Sequence, residues 1–196
     1  MALPWLKTGV SEHEYAEMEA KADYRSEFCN GQVYAMSGGT DIHSALCASM
    51  IRHVGNQLDG RRCRVFDSNL RIRVTKSELQ TYPDVSVVCG PLKFWEQRTD
   101  CIVNPVVVVE VLSEGTAGYD RGFKFSNYKL IESLREYVLV WQTRERIEVY
   151  RRGDGGEWEH QIADGRKAKV DLKSIGVTLS LAEVYFGLRL RRTANW

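Results

Sequence analysis

A chain of 196 residues, 43% hydrophobic and 27% charged, has enough material for one domain with a sizeable core, and residues 1–196 read as a single unit. Its formal net charge of +1 neither demands nor excludes a polyanionic partner, and no uncharged apolar run, Val106 to Val109 included, comes near the length needed to span a membrane. The start, MALPWLKTGV, shows no secretory signal; five cysteines (Cys29, Cys47, Cys63, Cys89, Cys101) without a CxxC pair argue against a disulfide framework or structural zinc and point to a reducing cytoplasm.

In chain order, SEHEYAEMEAKA from Ser11 to Ala22 predicts a short helix with a serine cap and a glutamate three residues on. Asn30-Gly31, between strand-like residues, predicts a hairpin turn. Residues 41–59 predict a helix with Ile42, Leu46, Met50, Val54 and Leu58 on one stripe. RCRVFD and LRIRV read as strands, and YPDVSVV and PVVVVEVL are the two strongest strand signals. YDRGFKFSNYKLIES follows as a helix, then EYVLVW and RIEVYRR as a strand pair, then one or two short strands and a closing helix near SLAEVYFG. That order predicts an α/β (α+β) domain with a mixed, twisted central sheet flanked by helices.

The chemistry centres on NPVVVVEVLSEG, where Glu110 interrupts an apolar strand. A bare buried carboxylate costs several kcal/mol or takes up a proton. Alternation puts Val106, Val108 and Glu110 on one face, and Asp84 opens the other strong strand. If the two strands are neighbours the carboxylates converge, and a hard cation such as Mg²⁺ between them would relieve their repulsion. Lys124, on the helix after the Glu110 strand, is the basic candidate, with Gly115 and Gly118 as the residues that let the chain turn back. Each residue also has a plainer role open to it. Glu110 could pair with an arginine, Asp84 could cap its own strand, and Asp120–Lys124 has the i,i+4 spacing of a surface pair. Asp67 and Arg73 fit ordinary surface pairing, and Tyr128 reads as core. No GxGxxG, GxxxxGK[ST], HExxH or GxSxG occurs, which leaves nucleotide-loop, zincin and serine-hydrolase chemistries without support.

The runs TYPDVSVVCG and NPVVVVEVLSEGTAGYDRGFKFSNYKLIESLREYVLVWQTRERIEVYRR, with NGQVYAMSGGTDIHSAL and SIGVTLSLAEVY, resemble the Uma-two-type endonuclease family of the PD-(D/E)XK superfamily over nearly the whole chain. The resemblance implies a restriction-endonuclease-like fold and a Mg²⁺- or Mn²⁺-dependent endonuclease acting on nucleic acid, DNA before RNA, as a homodimer. It places the family's aspartate at Asp84 and its next acid at Glu110. The superfamily lysine usually lies two residues further on, where Leu112 stands; the resemblance moves it to Lys124. It also implies Glu27 as a further metal ligand and His43 as a site residue at the start of the first long helix. A catalytically weak module of the same fold, binding nucleic acid or a protein partner, is the alternative.

Overall fold

The computed structural model describes residues 5–36, 38–96, 98–113 and 115–190. A first strand, β1 (Trp5–Thr8), precedes α1 (Glu12–Glu19), whose capping box is complete: Ser11 accepts from the Glu14 N–H while Glu14 accepts from the Ser11 N–H. The turn at Asn30-Gly31 joins β2 (Ser26–Cys29) to β3 (Gln32–Ala35), and both turn residues have positive φ, 47° and 76°, as tight hairpins with this dipeptide require. Thr40 caps α2 (Asp41–Leu58), and the whole expected stripe from Ile42 to Leu58 is buried.

Six strands follow: β4 (Cys63–Asp67), β5 (Arg71–Val74), β6 (Leu79–Thr81), β7 (Val85–Cys89), β8 (Cys101–Ile102) and β9 (Val107–Leu112). The helix expected after Glu110's strand, the one that carries Lys124, is broken into three pieces. It runs as α3 (Ala117–Tyr119), a wide π turn over Asp120–Lys124, and α4 (Phe125–Tyr128). It ends earlier than expected because the Leu130 and Ile131 N–H groups bond back three residues, to Asn127 and Tyr128, tightening the chain out of the helix. Then come β10 (Glu136–Trp141), β11 (Arg146–Arg152), β12 (Trp158–Asp164), β13 (Lys169–Leu172), β14 (Val177–Ser180) and α5 (Leu181–Val184).

Two six-stranded sheets result, ordered β1-β3-β2-β6-β5-β8 and β12-β11-β10-β9-β7-β4, beside a β13-β14 pair. In the second sheet β9 runs parallel to β10, and the broken helix is the crossover that a parallel pair needs; its other pairs are antiparallel. Its central strands β7, β9 and β10 are buried on both faces. Val107, Val109 and Val111 join α2, β13, β14 and α5 in one core, while Val108 and Leu112 join Ile72, Leu79, Tyr128 and Leu139 in another, facing the first sheet. A strand covered on both sides must be apolar on both, which is why the valines run together instead of alternating. Glu110 points into the second of these cores, and that makes its surroundings the question.

The cysteine expectation is corrected at one pair. Cys63 and Cys89 face each other across β4 and β7 and are disulfide-bonded. Strand pairing brought them together, and spacing in the sequence cannot show that. Among the described residues no helix is long and apolar enough to cross a membrane.

Candidate active site

β7 and β9 are antiparallel neighbours with Val85 opposite Val109. One further step of that register sets Asp84 opposite Glu110, so the two carboxylates stand side by side at the same end of the sheet. Asp84 does not cap its own backbone: its Oδ2 accepts from the Val111 N–H at 2.7 Å and lies 3.2 Å from His43 Nε2. The His43 ring is fixed from below by α2 and from above by the loop, where a Cβ on Gly39 would meet His43 Nδ1 at 2.6 Å. Only a glycine lets that backbone pass so close.

Glu110 is 3% exposed. Its Oε1 accepts from Lys124 Nζ at 3.1 Å and from the Tyr128 hydroxyl at 2.9 Å. Tyr128 is therefore core and also holds the carboxylate in place. From the facing sheet, Glu27 on β2 reaches the same ammonium at 3.1 Å, and it accepts from Tyr119 at 2.9 Å and from Thr81. Asp120 completes the group, 3.6 Å from Lys124. The expected i,i+4 pair thus exists, but it lies in the interior. The π turn brings it there: the Phe125 N–H bonds to the Asp120 carbonyl five residues back, and the Tyr137 hydroxyl also donates to that carbonyl at 3.0 Å.

Glu27, His43, Asp84, Glu110, Asp120 and Lys124 line one cavity of about 100 Å³. It shares His43, Tyr82 and Asp84 with an outer groove of about 630 Å³. All five residues singled out in the sequence are in this one place. Asp120 is the acid that sequence reasoning set aside, and its signal was the spacing to Lys124. Asp67 and Arg73 are elsewhere: Asp67 bonds Asn69 in a turn, and Arg73 forms a two-pronged pair with Glu12. The glycine expectation is corrected. Neither Gly115 nor Gly118 has a positive φ, Gly118 sits inside α3 with open space around it, and the mutual Ser113–Thr116 bonds shape the turn.

The electrostatics are those of a crowded acid group. Among the described residues the ion pairs of Glu27, Glu110 and Asp120 all run to Lys124. Burial raises the Glu110 carboxyl well above the ordinary range, and Asp120, Asp84 and Glu27 add to it, against the pull of Lys124. Burial and the same neighbours raise Asp120. Burial on its own would lower Lys124, but Glu110 and Glu27 outweigh it and hold the ammonium charged. Burial likewise opposes His43's charge, yet the Asp84 bond keeps its pKa above normal. One ammonium does not balance this many carboxylates, so the site favours taking up a further positive charge, either a proton or a metal ion. All-oxygen donors and a cavity with room for an ion and a few waters fit a hard divalent cation.

Comparison with known proteins places the chain in context. The profile of the Uma2 family, described as "Putative restriction endonuclease", matches residues 13–182. Two Synechocystis sp. proteins named as uncharacterized, slr1290 and sll1609, are 37% and 31% identical, over 91% and 81% of this chain and 93% and 89% of their own. A crystal structure of "a putative nuclease belonging to DUF820" from Anabaena variabilis superposes with a TM-score of 0.73, covering 90% of this chain and 97% of the other. At 18% identity that last likeness is one of fold.

Proposed function

The chain belongs to the Uma2 family, and from that premise we propose that it is a divalent-metal-dependent nuclease hydrolysing phosphodiester bonds, with DNA favoured over RNA by the family's restriction-endonuclease description. The observation that carries this reading is the convergence of Glu27, Glu110 and Asp120 on one buried lysine, with Asp84 in the same cavity.

Asp84, Glu110 and Glu27 are the proposed ligands, with Asp120 as a further acid within reach. When bound, Mg²⁺ or Mn²⁺ supplies electrophilic activation of the phosphodiester. The protein groups do the positioning. Tyr128 orients Glu110, Tyr119 and Thr81 orient Glu27, and the Val111 N–H with His43 orients Asp84. Lys124, held protonated, offers its charge where negative charge develops on the phosphoryl oxygens. The outer groove beside Asp84 is the space in which the nucleic-acid strand would lie. A homodimer, which symmetric duplex cleavage favours, belongs to the same proposal, and sedimentation of the full chain tests it.

The direct test incubates labelled single- and double-stranded DNA and RNA with the protein in Mg²⁺, Mn²⁺ or chelator. We expect cleavage with metal and none in chelator, and expect Glu110→Gln to abolish it. Tight nucleic-acid binding without cleavage in any metal would favour the non-catalytic module instead. Cleavage that survives chelation or Glu110→Gln would contradict the assignment.

A further inference from the structure

One wall of the cleft carries donors of a different chemistry. His43 and Cys47 are one helical turn apart on α2 and share a face, and Asp84 meets them from the start of β7. His43 Nδ1 is 3.5 Å from Cys47 Sγ, and His43 Nε2 is 3.2 Å from Asp84 Oδ2. One donor atom from each of the three lies within 4.8 Å of the others. A tetrahedral ion about 2.0 Å from nitrogen and oxygen and about 2.3 Å from sulfur holds its donors roughly 3.5 Å apart and takes only one of the two ring nitrogens, so the His43 ring or the Cys47 side chain must turn to bring one nitrogen, the thiol and the carboxylate together. All three residues are partly exposed and line the groove of about 630 Å³, so an ion can enter from solvent. Cys47 is a free thiol there, whereas the free thiols of Cys29 and Cys101 are buried.

The two donor sets differ in kind. Glu27, Glu110 and Asp120 offer oxygen alone, which suits Mg²⁺; imidazole, thiolate and carboxylate together suit a borderline-soft ion. We propose that His43, Cys47 and Asp84 form a second cation site, taking a transition ion of the Zn²⁺ class, and that filling it draws Asp84 away from the acidic centre. Binding requires the Cys47 thiol to release its proton to solvent, with no redox change. The inhibitory half rests on the nuclease reading; the binding half stands apart from it.

Co²⁺ is the probe for the binding half, added without oxygen to the chelator-washed full chain. We expect one thiolate-bound Co²⁺ per chain with a thiolate-to-cobalt charge-transfer band, displaced by Zn²⁺ and weakened but not abolished by excess Mg²⁺, which competes only for Asp84. The band should vanish in Cys47→Ser and Cys47→Ala, weaken at least tenfold in apparent affinity in His43→Ala, and persist in Glu110→Gln. Circular dichroism of each variant checks that α2 is intact. No band in the wild type, or a band that survives both Cys47 variants, would overturn the site. For the inhibitory half, stoichiometric Zn²⁺ should halt Mg²⁺-dependent cleavage by wild type and spare Cys47→Ser. Equal inhibition of both would overturn that half. If the wild type cleaves nothing, the inhibitory half falls with the nuclease reading, and the cobalt band alone upholds or overturns the site.

Discussion

Glu110 and Glu148 stand in one row across the second sheet, each directly opposite Leu139 of the strand between them. They are 3% and 2% exposed, so burial does not separate them. Their company does. Glu148 takes two bonds from Arg121, at 2.8 and 2.9 Å, one from the Trp141 indole at 2.8 Å, and has His160 Nε2 at 3.1 Å. Burial pushes its pKa up, but these donors outweigh burial and leave it below the ordinary range. Glu110 has one ammonium and one hydroxyl, with three further acids around it, and its pKa rises. The helical crossover serves both: Arg121 turns to one carboxylate, while Asp120 and Lys124 turn to the other. A carboxylate in an apolar strand is thus no sign of a metal site in itself. The sign is a surplus of acids over donors.

Four comparisons break or sharpen this contrast. The largest effect is expected from Lys124→Met, which strips the ion pairs from Glu27, Glu110 and Asp120 together. Breaking a buried pair costs about 3–5 kcal/mol, and denaturant unfolding in chelator should show a loss of that order, partly restored by Mg²⁺. Arg121→Met should also destabilise, but with no recovery on adding Mg²⁺. Next, the glutamine variants should move in opposite directions. Glu148→Gln loses charge-assisted bonds and should cost about 1.5–3 kcal/mol, whereas Glu110→Gln removes repulsion and should melt higher than wild type in chelator. Melting curves of the two side by side check this; a loss of stability in both would mean that Glu110 is a satisfied ion pair.

The third contrast is in pH. An acid whose folded pKa is raised binds its proton more tightly when folded, so its contribution weakens as pH climbs through the ordinary carboxylate range toward the raised value. Glu110 and Asp120 should therefore make the chelated protein less stable as pH rises above about 4.5, and saturating Mg²⁺ should flatten that slope. Glu148 has the opposite sign: its contribution is present above the ordinary value and lost as pH falls through its lowered one. Glu110→Gln should remove most of the first trend and leave the second. The smallest effect is expected at Gly118. It sits in α3 with open space around it, so Gly118→Ala should gain up to about 1 kcal/mol of stability from helix propensity and leave cleavage unchanged. A large loss of rate there would restore the hinge role that the structure denies it.

What the sequence made legible follows from locality. The α2 stripe, the Asn30-Gly31 turn and the capped first helix are patterns within a few residues, and each stands as expected. The convergence of Asp84 and Glu110 was legible only on condition that their two strong strands were neighbours, and the pairing of β7 with β9 meets that condition. Glu27 entered through family resemblance alone, because nothing near it announces a partner in the other sheet. Asp120 was visible as half of a surface-style pair, and only the π turn and the packing of Tyr137 carry it inside. The short strands β1, β6 and β8 and the Cys63–Cys89 pair were hidden for the same reason, since distant partners define them.

The central claim is that the crowded acids at Glu110 hold a divalent cation. Mn²⁺ binding to the full chain, followed by the loss of the free-ion paramagnetic resonance signal, tests it without any substrate. The wild type and Glu148→Gln should bind Mn²⁺ alike, and Glu110→Gln should bind at least tenfold more weakly, a difference of about 1.4 kcal/mol. Equal binding by the wild type and Glu110→Gln, or none by the wild type, would contradict the claim.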